Sequence, residues 1–178
     1  MIEIEKKYRL TKQQRADVLR RLPKIGANYQ GKEIEENTIY QGEGLNGSSV
    51  LRLRRVGNKA ILTYKQRFPS TSSIKHQREN ETRVADAESM DEILEGLGYT
   101  PALVYEKRRE TWRLRKTEIV LDELPFGLYM EIEGSEEEIR KIEKDLGMKG
   151  LRAEKATYPQ LAFKHGRRQG NLIESRFD

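Results

Sequence analysis

Like charges stand two residues apart repeatedly along this chain, among them Glu3 and Glu5, Arg52 and Arg54, Glu79 and Glu81, Lys107 and Arg109, Glu131 and Glu133. Successive side chains of a β-strand point to opposite faces, so each pair shares one face. Apolar residues oppose several of them, notably Ile2, Ile4 and Tyr8, then Leu51 and Leu53, then Met130 and Ile132. In an open sheet such strands pack the apolar face on a core and turn the charges to water. Strands that close on themselves beneath an outer layer of helices must turn the charges inward instead. Like charges on an inner wall repel one another unless something of opposite sign sits between them.

Other signals place helices among the strands. Thr11, with Gln14 three residues on, forms a capping box for a helix running to Leu22, with Val18, Leu19 and Leu22 facing inward. Asp86 opens a second helix, ending at Gly96 or Gly98, with Met90, Ile93, Leu94 and Leu97 on one side. Ser135 and Glu138 cap a third, which ends at Gly147, and a short helix is expected after Pro159. Strands are expected over 2–10, 32–41, 50–56, 59–67, 76–84, 103–114, 117–124 and 128–134, with a tight hairpin through Gly57 and Asn58. Loops cover 42–49 and 69–73, the second polar enough to be mobile. The expected fold is α+β: an eight-stranded antiparallel closed β-barrel with helices packed outside, over residues 1–165, then a polar C-terminal tail over 166–178.

Charged residues make up 35% of the 178 positions, as much as the hydrophobic ones, yet the net charge is only +5, so both signs are densely mixed. The basic residues form no block and aromatic residues are few, which argues against a nucleic-acid partner. No apolar run approaches a membrane span, and Met1 leads straight into charge, so a cytoplasmic protein without a signal peptide is expected. The absence of cysteine excludes disulfides and thiolate metal sites.

A barrel lined this way would set Glu3, Glu5, Glu79, Glu81, Asp122, Glu131 and Glu133 against Lys7, Arg52, Arg54, Lys65, Lys107 and Arg109. Paired carboxylates suit Mg²⁺ or Mn²⁺, hard ions that prefer oxygen. Guanidinium forks and ammonium groups suit phosphate oxygens. A triphosphate accompanied by divalent metal needs both sets in one cavity.

Glu3-x-Glu5-x-Lys7 at the N-terminus resembles the ExExK signature of the CYTH superfamily, the triphosphate tunnel metalloenzymes. Leu51-Arg52-Leu53-Arg54, Thr63-Tyr64-Lys65, Arg78-Glu79-Asn80-Glu81, Lys107-Arg108-Arg109, Leu121-Asp122, Glu131-Ile132-Glu133 and Lys155-Ala156-Thr157-Tyr158 follow in the family's order. Strand two is the weakest match, since Asn37-Thr38-Ile39-Tyr40 stands where relatives often carry an acidic residue before an aromatic pair.

The resemblance implies a metal-dependent enzyme whose tunnel binds ATP, thiamine triphosphate or tripolyphosphate. It implies metal ligands at Glu3, Glu5, Glu131 and Glu133, helped by Asp122 and Glu81. It implies phosphate ligands at Lys7, Arg52, Arg54, Lys65, Lys107, Arg109 and Lys155, with Glu3, Glu5 and Lys7 as the catalytic signature. The chain is most similar to class IV adenylate cyclase-like bacterial members, which convert ATP to cyclic AMP and pyrophosphate. A triphosphatase and a non-catalytic binder are the alternatives, and a homodimer is left open.

Overall fold

The computed structural model describes residues 2–69, 73–148 and 150–178. Its elements run β1 (Ile2–Leu10), α1 (Lys12–Arg21), β2 (Asn28–Gln41), β3 (Ser49–Val56), β4 (Lys59–Arg67), β5 (Lys75–Val84), α2 (Ala87–Gly96), β6 (Thr100–Leu114), β7 (Thr117–Leu124), β8 (Gly127–Glu133), α3 (Glu136–Asp145), α4 (Tyr158–His165), β9 (Arg167–Gln169) and β10 (Leu172–Ser175). The first eight strands pair in the order β2-β3-β4-β5-β1-β8-β7-β6, and β6 returns to β2. Each of these pairings is antiparallel, so the sheet closes into an eight-stranded barrel.

The caps expected at Thr11 and Ser135 are present, each with its reciprocal bond to Gln14 or Glu138, and Thr157 caps α4 in the same way through Gln160. Strand β2 starts four residues earlier than its alternation suggests. A register shift between Tyr29 and Gly31, where Gly31 adopts φ +137°, lets it stay paired to β6 through an irregular stretch. Residues 70–72 of the polar loop expected over 69–73 lie outside the described residues.

The apolar strand faces point outward, under the helices. Tyr8, Ile119, Leu121, Met130 and Ile132 are fully buried beneath Val18 and Leu22 from the α1 side and Ile139 and Ile142 of α3. On the far wall Leu51, Leu53 and Tyr40 pack against Leu94 of α2. Each fully buried aliphatic side chain here is worth about 1.5–3 kcal/mol of hydrophobic stabilisation. The face of α2 is narrower than expected: Leu94 is buried, but Ile93 and Leu97 remain 53% and 69% exposed. They lie outside the stripe that meets the sheet.

The C-terminal segment, expected as a polar tail, is instead a short hairpin. Strand β10 pairs parallel with β6, Ile173 opposite Leu103, beyond the stretch of β6 that β7 covers. Ile173 is buried with Leu161 and Ala162 of α4, and Arg176 bridges Glu36 and Glu106. Among the described residues no helix is long and apolar enough to cross a membrane.

Candidate active site

The inward strand faces enclose a cavity of about 650 Å³. Eleven of the residues expected to form a site line it: Glu3, Glu5 and Lys7 from β1, Arg52 and Arg54 from β3, Lys65 from β4, Glu81 from β5, Lys107 and Arg109 from β6, Glu131 and Glu133 from β8. The period-2 alternation of each strand puts them there.

One part of the cavity is dominated by cations. Lys7 and Lys107 are each 1% exposed and stand on the ring of Tyr158, their Nζ atoms 3.7 and 5.3 Å from its centroid. Lys7 also pairs with Glu131 at 3.2 Å and donates to the Ala156 carbonyl at 3.3 Å. Arg109 donates two parallel bonds to Asp122, at 2.8 and 2.6 Å, and a third to Glu131 at 3.0 Å. Burial alone would weaken the charge on Arg109, but Asp122 outweighs it and holds the guanidinium firmly protonated. Lys107 is brought down to about 8 by burial and by neighbouring Arg109, against the pull of Asp122 and Glu35. Burial would raise Glu131, yet Lys7 and Arg109 hold it well below the usual carboxylate range.

Carboxylates dominate another part. Strand register sets Glu5 opposite Glu133, and Glu133 opposite Glu118, so three carboxylates lie side by side across β1, β8 and β7. Directly opposed like charges destabilise a sheet. Burial against the wall, then Glu3 and Glu118, push Glu133 up to about 7. Glu3 is also raised, first by burial and then by Glu79, although Lys65 and Gln77 both donate to it, at 2.8 and 2.9 Å. Lys65 bridges Glu3 and Glu79, and Lys75 pairs with Glu5 at 3.3 Å.

Residues 1–157 match the CYTH domain. This chain belongs to the CYTH family. A Methanocaldococcus jannaschii protein provisionally named an adenylate cyclase is 28% identical over 151 residues, covering 82% of this chain and 84% of that protein. Among solved structures, the Pyrococcus horikoshii protein PH1012 superposes with a TM-score of 0.75 at 27% identity, covering 88% of this chain and 96% of its own. The Hippeastrum protein HpAC1, provisionally an adenylyl cyclase and described as having a dominant triphosphatase activity, superposes at 0.69 with 20% identity, over 95% and 98% of the two chains. At that identity the likeness speaks for the fold alone.

Two of the expected site residues stand off the CYTH tunnel wall. Asp122 is wholly buried behind the lining, clamped by Arg109. Lys155 is exposed and borders a smaller cavity of about 300 Å³ that shares Ser48 and Arg67 with the tunnel. In the Lys-Ala-Thr-Tyr element Thr157 and Tyr158, not Lys155, reach the tunnel. The sequence reading missed Glu35, Lys75, Gln77 and Glu118. Glu118 was findable from strand alternation, and Lys75 from a strand one residue longer. Glu35 needed the register of β2 against β3 and β6.

The donor set fits a hard divalent cation, since Glu3, Glu5, Glu118 and Glu133 offer only carboxylate oxygens, and Glu3 and Glu133 are raised by burial first and by neighbouring carboxylates second. Among the described residues no three of them converge on a single point. Lys65 and Lys75 hold Glu3 and Glu5 instead.

Proposed function

We propose that this tunnel hydrolyses a triphosphate with the help of Mg²⁺ or Mn²⁺. The observation that carries the reading is the state of Arg52 and Arg54. Both line the cavity; the Nε of Arg52 is buried without a hydrogen-bond partner among the described residues, and that of Arg54 stands 3.4 Å from Glu35 without a hydrogen bond to it. A buried donor left unmade costs about 1–3 kcal/mol, which is tolerable where a ligand later satisfies it. Phosphate oxygens fit such donors.

In this reading Arg52, Arg54, Lys107 and Arg109 hold the phosphate chain and stabilise the charge that develops on its oxygens. Lys7, fixed by Glu131 and the Ala156 carbonyl, adds a positioned ammonium. Glu3, Glu5 and Glu133 would hold the cation, with Glu118 beside them. A divalent ion, when bound, supplies charge neutralisation and polarisation of the phosphoryl group. Asp122 and Glu131 act on the reaction through the cations that they orient. Water attacks the terminal phosphorus, the bond to the bridging oxygen breaks, and tripolyphosphate yields orthophosphate and pyrophosphate.

Cyclisation of ATP is the second reading, favoured by the provisional name of the M. jannaschii relative. Hydrolysis takes precedence because the described lining offers no free aromatic face for a purine. Its aromatic rings are Tyr105, which is 1% exposed, and Tyr158, which lies under the Lys7 ammonium. Phosphorus NMR of products from ATP, thiamine triphosphate and tripolyphosphate separates the readings. Orthophosphate with a diphosphate product supports hydrolysis, cyclic AMP with pyrophosphate supports cyclisation, and tight binding without product would support a non-catalytic sensor.

A further inference from the structure

Behind the cationic wall lies a carboxylate that takes no part in the scheme above. Glu35 of β2 is 2% exposed and does not reach the cavity. It stands 3.2 Å from Lys107, 3.4 Å from Arg54 and 3.7 Å from Arg109, cations contributed by the two strands that flank β2. Burial would raise its carboxyl, but Lys107, Arg109 and Arg54 outweigh that and hold it ionised.

The contact has an unusual form. Neither Glu35 Oε2 nor Arg54 Nε makes a hydrogen bond among the described residues, although the two atoms are 3.4 Å apart. Glu35 therefore offsets the charge of Arg54 from behind the wall, with no hydrogen bond holding Arg54 Nε to it among the described residues. Asp122, the other wholly buried carboxylate beside these cations, is already committed to two bonds from Arg109.

We propose that Glu35 is an internal counter-anion that limits how tightly the tunnel holds polyanions and so keeps product release fast. The inference rests on the triphosphate reading of the tunnel. Without Glu35, Arg54, Lys107 and Arg109 repel one another in the empty site, and that repulsion is relieved only when an anion binds. Substrate and product then gain affinity alike. Such uniform binding lowers KM without lowering the chemical barrier, and tighter product holding slows turnover. Glu35 is thus a positioning residue that works through its three cations.

The test compares wild type, Glu35→Asp and Glu35→Gln for binding of tripolyphosphate and pyrophosphate by calorimetry, in mildly acidic buffer, alongside steady-state kinetics. Glu35→Gln is expected to bind both anions about tenfold more tightly, the scale of one unit charge about 10 Å from the bound anion at an effective dielectric of about 20. KM and kcat should fall together, while the apo protein melts lower and gains more from tripolyphosphate than wild type does. Glu35→Asp, which keeps the charge but lengthens its contacts, should lie between the two. It decides the matter alone if Glu35→Gln does not fold.

Affinity that is unchanged or weaker in the folded variants, or a KM that rises, overturns the role of Glu35 while leaving the tunnel reading standing. Wild type that fails to bind tripolyphosphate at all overturns both.

Discussion

Arg109 offers the sharpest test of how the tunnel wall is held together. Its guanidinium satisfies both oxygens of Asp122, at 2.8 and 2.6 Å, and one of Glu131, at 3.0 Å. Asp122 has no exposure, and its other cation is Lys107, 3.8 Å away. Arg109→Met would strand that carboxylate in the wall. Breaking one side of a buried pair costs about 3–5 kcal/mol, because the remaining charge is left without compensation. With a urea m-value of about 2 kcal/mol/M, the unfolding midpoint should drop by about 2 M.

Neutralising the partner should recover much of that loss. The double variant Arg109→Met with Asp122→Asn is predicted to regain about 2 kcal/mol or more over Arg109→Met, since no buried charge is then orphaned. Turnover should stay lost, because a phosphate ligand is gone. Urea denaturation of all four proteins in the cycle gives the coupling directly. A cost below about 1 kcal/mol for Arg109→Met, or strictly additive effects, would refute the view of Asp122 as a clamp on Arg109.

Three further outcomes are expected. Glu133 carries a carboxyl pushed up to about 7, so Mg²⁺ affinity should climb as pH rises from 6 to 8, and Glu133→Gln should flatten that climb. For the metal-free protein the sign is opposite: the folded state binds this proton more strongly than the unfolded one, so the stability it contributes is present below the usual glutamate range and is lost as pH rises through about 7, which urea titrations along pH would show. Removing residues 166–178 should lower the melting temperature by about 5 °C or more, since Leu103 and α4 lose the cover of Ile173, yet leave turnover at low temperature within about twofold, because no described residue of that segment lines the tunnel.

Much of this arrangement was legible before any coordinates. Alternation with period 2 fixed which side of β1, β3 and β8 carries charge, and capping boxes at Thr11 and Ser135 marked where α1 and α3 begin. What stayed hidden depends on register between distant segments. Glu35 sits in Lys32-Glu33-Ile34-Glu35-Glu36, where charge flanks both faces and no local signal says which one turns inward. Only its placement between Arg54 and Lys107 gives it a role.

The C-terminal hairpin was illegible for a related reason. Leu172-Ile173-Glu174-Ser175 is too short to read as a strand, and its parallel partner at Leu103 lies some seventy positions earlier. Lys155 and Asp122 show the limit of motifs. A motif names the element, but packing decides which of its side chains reaches the cavity, and at these two positions it turned one outward and buried the other behind Arg109.

Charged strand faces that form one metal-dependent triphosphate site make orthophosphate release conditional on a divalent cation. Orthophosphate release from tripolyphosphate, measured while Mg²⁺ is titrated into wild type and Glu5→Gln, tests this most directly. No release is expected without divalent cation, with saturating release in its presence and loss of that response in a folded Glu5→Gln protein. Release that needs no divalent cation, or a variant as Mg²⁺-responsive as wild type, would contradict such a site.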